Sequence, residues 1–597
     1  MRIEIDSAAD ATESRRQGLS TVRANSMDEG TSPRCSGIRW FFRSLAVALG
    51  LIQIVLARNT VGPDARSYLE IARAILRRDW AMTVNAYWSV LYPWLLAPML
   101  AIFKPSLRWE FPIAHAVAFP VLLLCIAAFE FFWSSLLRLR ESSAVRSSSS
   151  SAIPSWQMWV LGYSFLIWLL VGDQITAINP DLSMMTAALF SAGLLIRIAI
   201  TPESRRNLYL WFGLSLGLGY LVKAVLFPMA LIFLATAVFI TRRSFRARKW
   251  QLATSALIFF LIALPEVSLL SHAKHRFTFS DAGKLNFAWY NYKLPQRNWR
   301  GEPRWSGRPL HATRKIFEHP AVYEFNGPLR SSYPPWYDPS YWNDGMSPAL
   351  LPAAVMRHVL TQMKVLGGIL LHPTAWFAGI LLIILTSDLR RTSMGIAAGW
   401  YLIAIATIAF ALHCLTLMES RYLGPWEILL WGTLLAGVRL KPGVARWCGV
   451  VTVVVSLALI SAIAYLEYGE SIHGFHNDAC AEYLTADGLQ TIGLKPGTNV
   501  AAIGFDNDAY WAYLLRLNIV AEINTDETCL FWSQPAEVQQ EVMKKFAQAG
   551  ADVVVVNAGG GIRTTSRAIP LDLAGCARPG AGWRRIPGTP DYFASLR

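Results

Sequence analysis

Four ionisable residues stand beside apolar runs, and their types suit the handling of an anion and a hydroxyl group: Asp64, Asp181, Lys223 and Arg421. A carboxylate at a membrane mouth is costly to place, which makes it a functional candidate. Two carboxylates can share a divalent metal ion, or act as base and orienter in a proton transfer. A lysine ammonium is a point charge and an arginine guanidinium a planar fork; together they can hold a phosphate or diphosphate. Each residue also has a plainer reading. Asp64 stands in Gly62-Pro63-Asp64-Ala65-Arg66-Ser67-Tyr68, where an acid can simply cap a helix. The other three can be solvated loop ends.

These residues form a site only if the chain delivers them to one side of a membrane. The 597 residues are 54% hydrophobic and only 16% charged, against about a quarter charged in soluble proteins. Repeated apolar runs predict an α-helical polytopic membrane protein. The net charge of +15 could suggest a nucleic-acid partner. The arginine clusters fall between apolar runs, however, where they set topology and meet anionic lipid head groups, so membrane lipids and no nucleic acid are expected.

Residues 1–37 are polar and aperiodic and read as a disordered cytosolic tail. Residues 38–466 read as a transmembrane domain. Eleven spans are predicted, at about 38–57, 111–137, 156–172, 182–198, two short ones within 208–241, then 251–270, 374–387, 395–414, 425–438 and 447–466. Every inner loop is basic, most strongly Arg242-Arg243-Ser244-Phe245-Arg246-Ala247-Arg248-Lys249. After the first span, Tyr68, Ile71, Ala72, Ile75 and Leu76 recur at helical spacing opposite Arg66, Arg73, Arg77 and Arg78. That pattern predicts an amphipathic helix lying on the bilayer. The run from Trp88 to Phe103, interrupted by Pro93 and Pro98, reads as a second juxtamembrane or re-entrant helix. Residues 350–371 are expected on the outer surface.

An odd count with the N-terminus inside puts Asp64, Asp181, Lys223 and Arg421 at the outer face. The long outer loop 271–348 carries Tyr333-Pro334-Pro335-Trp336-Tyr337 and Tyr341-Trp342. These suit sugar stacking or an interfacial belt equally well. Residues 467–597 read as a separate outer α/β domain, with strands at 499–505 and 552–557 and a helix marked by Val538, Val542 and Phe546. The cysteines show no metal-ligand spacing. Cys480, Cys529 and Cys576 allow at most one disulfide.

Five motifs fall in a definite order: Asp64 with Tyr68 and Ala72, Tyr92-Pro93, Asn179-Pro180-Asp181, Tyr220-Leu221-Val222-Lys223, and Arg421-Tyr422-Leu423. Over about residues 40–440 the chain resembles membrane glycosyltransferases of the GT-C fold, in the bacterial group that includes protein O-mannosyltransferases and aminoarabinose transferases. The odd span count puts the N-terminus in the cytoplasm and the C-terminal domain in the periplasm, and the resemblance implies an inverting enzyme of the inner membrane. It would move a sugar from a polyprenyl-phosphate donor to a lipid, glycan or protein acceptor. It implies Asp64 as the catalytic acid/base residue and Asp181 as the second acid. Lys223 and Arg421 would contact phosphate, and Tyr68, Tyr92 and Tyr422 would contact substrate. A divalent metal, if one is used, would fall to Asp64 and Asp181. Some relatives carry a base where this chain has Tyr92. Two rival readings are a transporter or flippase for lipid-linked sugars, which should place ionisable residues mid-bilayer, and a non-catalytic scaffold that presents the C-terminal domain.

Overall fold

The computed structural model describes residues 33–144, 151–201, 205–325, 327–441, 443–476, 481–558, 576 and 579–596. The predicted tail lies outside these residues apart from 33–37, which open the first helix. That helix, α1, spans Pro33–Leu56, and α2 (Pro63–Arg77) and α3 (Leu91–Phe103) follow. Next come α4 (Ala118–Ala144), α5 (Ser155–Leu169), α6 (Asp181–Ile200), α7 (Arg206–Val222), α8 (Leu226–Ile240) and α9 (Phe245–Ala273). Beyond the long loop lie α10 (Pro352–Leu371), α11 (Thr374–Thr386), α12 (Trp400–Cys414), α13 (Ser420–Gly437) and α14 (Ala445–His476).

A helix stands at each of the eleven predicted spans, but fewer of these helices are long and apolar enough to cross a membrane unaided. By length and apolar composition six helices among the described residues can cross a membrane, or up to eight if each of two bent pairs is one span. Helices α8 and α11 have 15 and 13 residues. At 1.5 Å per residue they reach roughly 20–23 Å, short of a core about 30 Å thick. Hydropathy marks apolar runs and cannot see where polar residues break them. Lys223 is such a break, with extended backbone between α7 and α8. Helix α10 meets α11 at 80°, in keeping with a helix on the surface that turns into a span. The apolar helices make this an integral membrane protein. Their core packs large aromatics such as Trp133, Trp159, Tyr163 and Trp426. It also packs backbones closely: a Cβ at Gly213 of α7 would lie 2.4 Å from the Ser255 carbonyl oxygen of α9.

The environment of α2 differs from expectation. Its apolar side packs on α3, and on its basic side Arg66 and Arg73 are covered by protein while Arg77 and Arg78 at the far end stay exposed. Arg66 is 1% exposed. Arg73 pairs with Glu110, and the same carboxylate takes Arg516 at 3.0 Å. Up to Ile75 the helix is therefore held between α3 and the C-terminal region, with its last residues open. An amphipathic period specifies two unlike faces, and a protein partner can supply the second as well as a bilayer can.

The C-terminal region is not a separate unit. Its sheet has seven strands: β1 (Arg314–Phe317), β2 (Val322–Glu324), β3 (Asn499–Ile503), β4 (Asn518–Ile523), β5 (Val553–Val556), β6 (Arg584–Arg585) and β7 (Tyr592–Ser595). The spatial order is β1-β2-β4-β3-β5-β7-β6. β3 runs parallel to both β4 and β5. β2, from the long loop, pairs antiparallel with β4, placing Val322 opposite Ile523. The predicted strands and helix are present, with Val542 and Phe546 of α15 (Ala536–Gln548) buried against the sheet. Cys529 and Cys576 form a disulfide; Cys480 lies outside the described residues.

Candidate active site

Helix α2 begins after Gly62 in extended conformation, with Pro63 in its first turn, and no side chain caps it. Asp64 is therefore not a cap. Its Oδ1 accepts from Trp336 Nε1 at 3.3 Å, and its Oδ2 lies 3.7 Å from the Arg421 guanidinium. The turn that carries Trp336 is tied to α2, because its carbonyl accepts from Ser67 Oγ at 2.8 Å and from Trp88 Nε1 at 3.1 Å.

Asp181 opens α6 just after Pro180, where a helix N-terminus favours negative charge. Its backbone N–H donates to Asn179 Oδ1 at 3.0 Å. Its side chain is fully buried. Lys223 Nζ donates to Asp181 Oδ1, and Arg421 NH1 lies 3.5 Å from Asp181 Oδ2. Arg421 also pairs through Nε with Glu419 and donates through NH2 to the Tyr422 hydroxyl at 2.8 Å. Its backbone carbonyl accepts from Gln174 Nε2 at 2.7 Å. The Tyr422 ring lies beneath both cations, 3.9 Å from Lys223 Nζ and 4.7 Å from the Arg421 guanidinium carbon.

The four predicted charges thus meet in one place, but not on equal terms. The side chains of Asp64, Lys223 and Arg421 are 29%, 22% and 24% exposed, whereas Asp181 is 0% exposed behind the two cations. A divalent metal ion, if one is used, would have to be held by Asp64 and Asp181 across an arginine. The Arg421 guanidinium stands between the two carboxylates, and among the described residues no three His, Cys, Asp or Glu side chains are grouped to hold one.

The accessible charges face a cavity of about 550 Å³. Tyr68 and Tyr422 line it, as expected for substrate contacts. Burial, with Asp64 and Asp181 nearby, keeps the Tyr68 phenol well above its usual range and neutral. Tyr92 does not line the cavity; it packs edge-on against Tyr68, ring centroids 5.3 Å apart, and supports it. Another wall, which the sequence does not single out as part of the site, is built from Tyr87, Asn286, Tyr290, Gln296, Trp336 and Asn507. The aromatic loop is a partial pointer to Trp336. Nothing in the sequence points to Asn507. The loop aromatics Tyr333, Trp336, Tyr337 and Trp342 are at most 7% exposed, so they form a packed core and not an interfacial belt.

No protein-family model and no curated protein matches the sequence. Solved structures do. ArnT from Cupriavidus metallidurans bound to undecaprenyl phosphate is similar at 14% identity and a TM-score of 0.49, over 94% of this chain and 98% of that one. The Archaeoglobus fulgidus oligosaccharyltransferase in the apo form is similar at 12% identity and a TM-score of 0.43, over 87% and 69%. Its complex with an inhibitory peptide and a dolichol-phosphate gives 10% and 0.42, over 87% and 70%. These are GT-C membrane glycosyltransferases, the group that the sequence motifs resemble. At such identities and TM-scores the likenesses leave substrates and residue roles to the chemistry of the site itself.

Proposed function

We propose that this protein is an inverting glycosyltransferase of the inner membrane, which moves a sugar from a polyprenyl-phosphate donor to an acceptor hydroxyl at the periplasmic face. The observation that carries the reading is the union, in one cavity beside apolar helices, of an accessible carboxylate and a pair of accessible cations. Lys223 and Arg421 take the donor phosphate, which sits where an isoprenoid tail can remain among the helices. Asp64 accepts the proton of the acceptor hydroxyl as its oxygen attacks the anomeric carbon from the face opposite the phosphate. The carbon–oxygen bond to phosphate breaks, the lipid phosphate leaves with the electron pair, and the configuration inverts. Asp181, which lines the cavity but is fully buried behind both cations, positions them. The acceptor is a lipid, a glycan or a protein.

A flippase would need its ionisable groups spread along a path through the bilayer. Here the four site charges gather around one cavity at the helix ends, which favours transfer over transport. Asp64→Asn tests the reading, because it keeps the size of the side chain and removes its basicity. Sugar transfer per inserted molecule should fall about 10²- to 10⁴-fold. Transfer near the wild-type rate would remove Asp64 as the base and leave the mechanism without one.

A further inference from the structure

The cavity lining, taken by chemistry, falls into two sets of side chains that adjoin where Trp336 meets Asp64. One carries the charges described above. The other is neutral, built from carboxamides and aromatic rings: Asn286, Gln296 and Asn507, with Tyr87, Tyr290 and Trp336. Two of the amides are held so that part of each is spent and part is not. Asn286 accepts through Oδ1 from the Tyr87 hydroxyl at 2.9 Å, which leaves its N–H groups unspent. Gln296 donates through Nε2 to the Tyr290 hydroxyl at 3.3 Å, which leaves its Oε1.

Asn507 is the most telling of the three. It lies on the turn that follows β3, at the carboxyl end of a strand flanked by parallel neighbours on both sides. Open α/β sheets bind ligands beyond the carboxyl ends of their strands. The turn is clamped from two directions. Arg66 of α2, two residues from Asp64, donates to the Asn507 backbone carbonyl at 3.0 Å. Asp506 accepts from the Thr525 N–H at 3.0 Å and pairs with Arg297 at 3.4 Å. Both clamps bypass the Asn507 side chain, whose Oδ1 is buried without a hydrogen-bond partner. An unmet buried amide oxygen is costly. The last side-chain torsion of asparagine is soft, so a ligand in the cavity can draw the amide toward itself.

We infer that Asn507, with Gln296 and Asn286, binds the hydroxyl groups of an uncharged sugar against the aromatic wall. Carboxamides offer the paired donors and acceptors that a hydroxyl array needs, and aromatic faces suit the apolar side of a sugar ring. The sheet is thereby part of the binding site and not an appendage. The inference rests on the glycosyltransferase reading for its source of sugar, which is either the donor's own sugar or a glycan on the acceptor.

The test uses the full chain in lipid nanodiscs, with Asn507→Ala and Gln296→Ala. Asn507→Ala keeps the carbonyl that Arg66 holds, so the turn should stay in place. Three probes are titrated: a short-chain polyprenyl phosphate alone, the same lipid carrying each of a panel of uncharged hexoses, and a glycolipid acceptor ending in an uncharged hexose. Affinity for the bare lipid phosphate should be unchanged. Affinity for one sugar-bearing probe should fall about five- to twentyfold, the weight of a hydrogen bond or two. A fall confined to the donor assigns the wall to the donor sugar, and a fall confined to the acceptor assigns it to the acceptor glycan. Unchanged affinity for both sugar-bearing probes, or an equal fall for the bare lipid phosphate, overturns the inference. Should the wild-type chain bind no polyprenyl phosphate, the parent reading fails. Saturation-transfer NMR with free neutral oligosaccharides then decides the wall independently. A transfer signal that is present in the wild type and vanishes in Asn507→Ala upholds the wall, and a wild type that gives no signal ends it.

Discussion

Arg421 answers to three carboxylates at once: Asp64, Asp181 and Glu419. Only Asp181 is inaccessible, so an arriving phosphate can compete for the guanidinium against Asp64 and Glu419 but not against Asp181. Arg421→Lys keeps the charge and loses the fork that reaches both sides. The KM for donor should rise about tenfold, roughly one charge-assisted hydrogen bond, with a smaller change in kcat. Unchanged donor kinetics would take Arg421 out of phosphate binding. Asp181→Asn removes the buried partner of two cations. Because Lys223 and Arg421 keep about a fifth of their exposure, the loss belongs near the lower end for a broken buried pair, about 3 kcal/mol. A thermal unfolding midpoint equal to that of the wild type would show that Asp181 anchors nothing.

Helix α2 is the element on which the site depends, since it carries Asp64 at one end, Arg66 beside it and Arg73 further along. Besides the Arg66 bond to the Asn507 carbonyl, it is fastened to the sheet region through Glu110, which holds Arg73 and Arg516 and accepts a hydrogen bond from Tyr513. Glu110→Gln weakens each of these charge-assisted bonds, a loss of about 1–3 kcal/mol. Limited proteolysis should then reach residues 506–516 faster, and transfer should fall although every cavity residue is intact. An unchanged cleavage pattern would place the coupling elsewhere. The helical period of α2 is legible in the sequence because Tyr68, Ile71, Ala72 and Ile75 repeat one face. What its other face touches is not, because the partners Glu110, Tyr333, Asn507 and Arg516 are remote in sequence. The same holds for the neutral cavity wall: an asparagine on a turn looks like any other until the fold brings it to the cavity that Asp64 lines.

At the scale of the whole chain, apolar runs and basic loops mark the positions of the apolar helices among the described residues but not how many are long enough to cross unaided. The four charges were legible as a group because each stands at the end of an apolar run. Their ranking, with Asp181 buried and Asp64 open, belongs to packing and left no mark on the sequence. The pairing of β2 with β4 adds a constraint that charge counting lacks, since loop 271–348 and the C-terminal strands must lie on the same side whatever the number of spans. Reporter fusions after Ser151 and Arg248 should report cytosol and a fusion after Arg597 periplasm. A cytosolic report at Arg597 would break the proposed orientation. The Cys529–Cys576 bond gives a second check. An impermeant thiol reagent should label these two cysteines only after reduction; labelling without reduction would mean that the bond does not form in the cell. In the chain-entropy picture, removing a link across a loop of this length costs about 4 kcal/mol.

That shared sheet also sets a timetable. Glu324 ends β2 and Asn518 opens β4, and helices α10 to α14 are all made between them. At about 5–20 residues per second the ribosome needs roughly 10–40 s to cross that interval. Throughout it, β2 waits with an open edge, the kind of edge that other chains can join. The 506–508 turn, and with it the Asn507 wall of the cavity, is translated only as the interval closes. A nascent chain can therefore be fully threaded through its first nine helices and remain inert, and a nonsense or frameshift lesion anywhere between β2 and β4 should yield a membrane-inserted remnant prone to clumping rather than a weak enzyme.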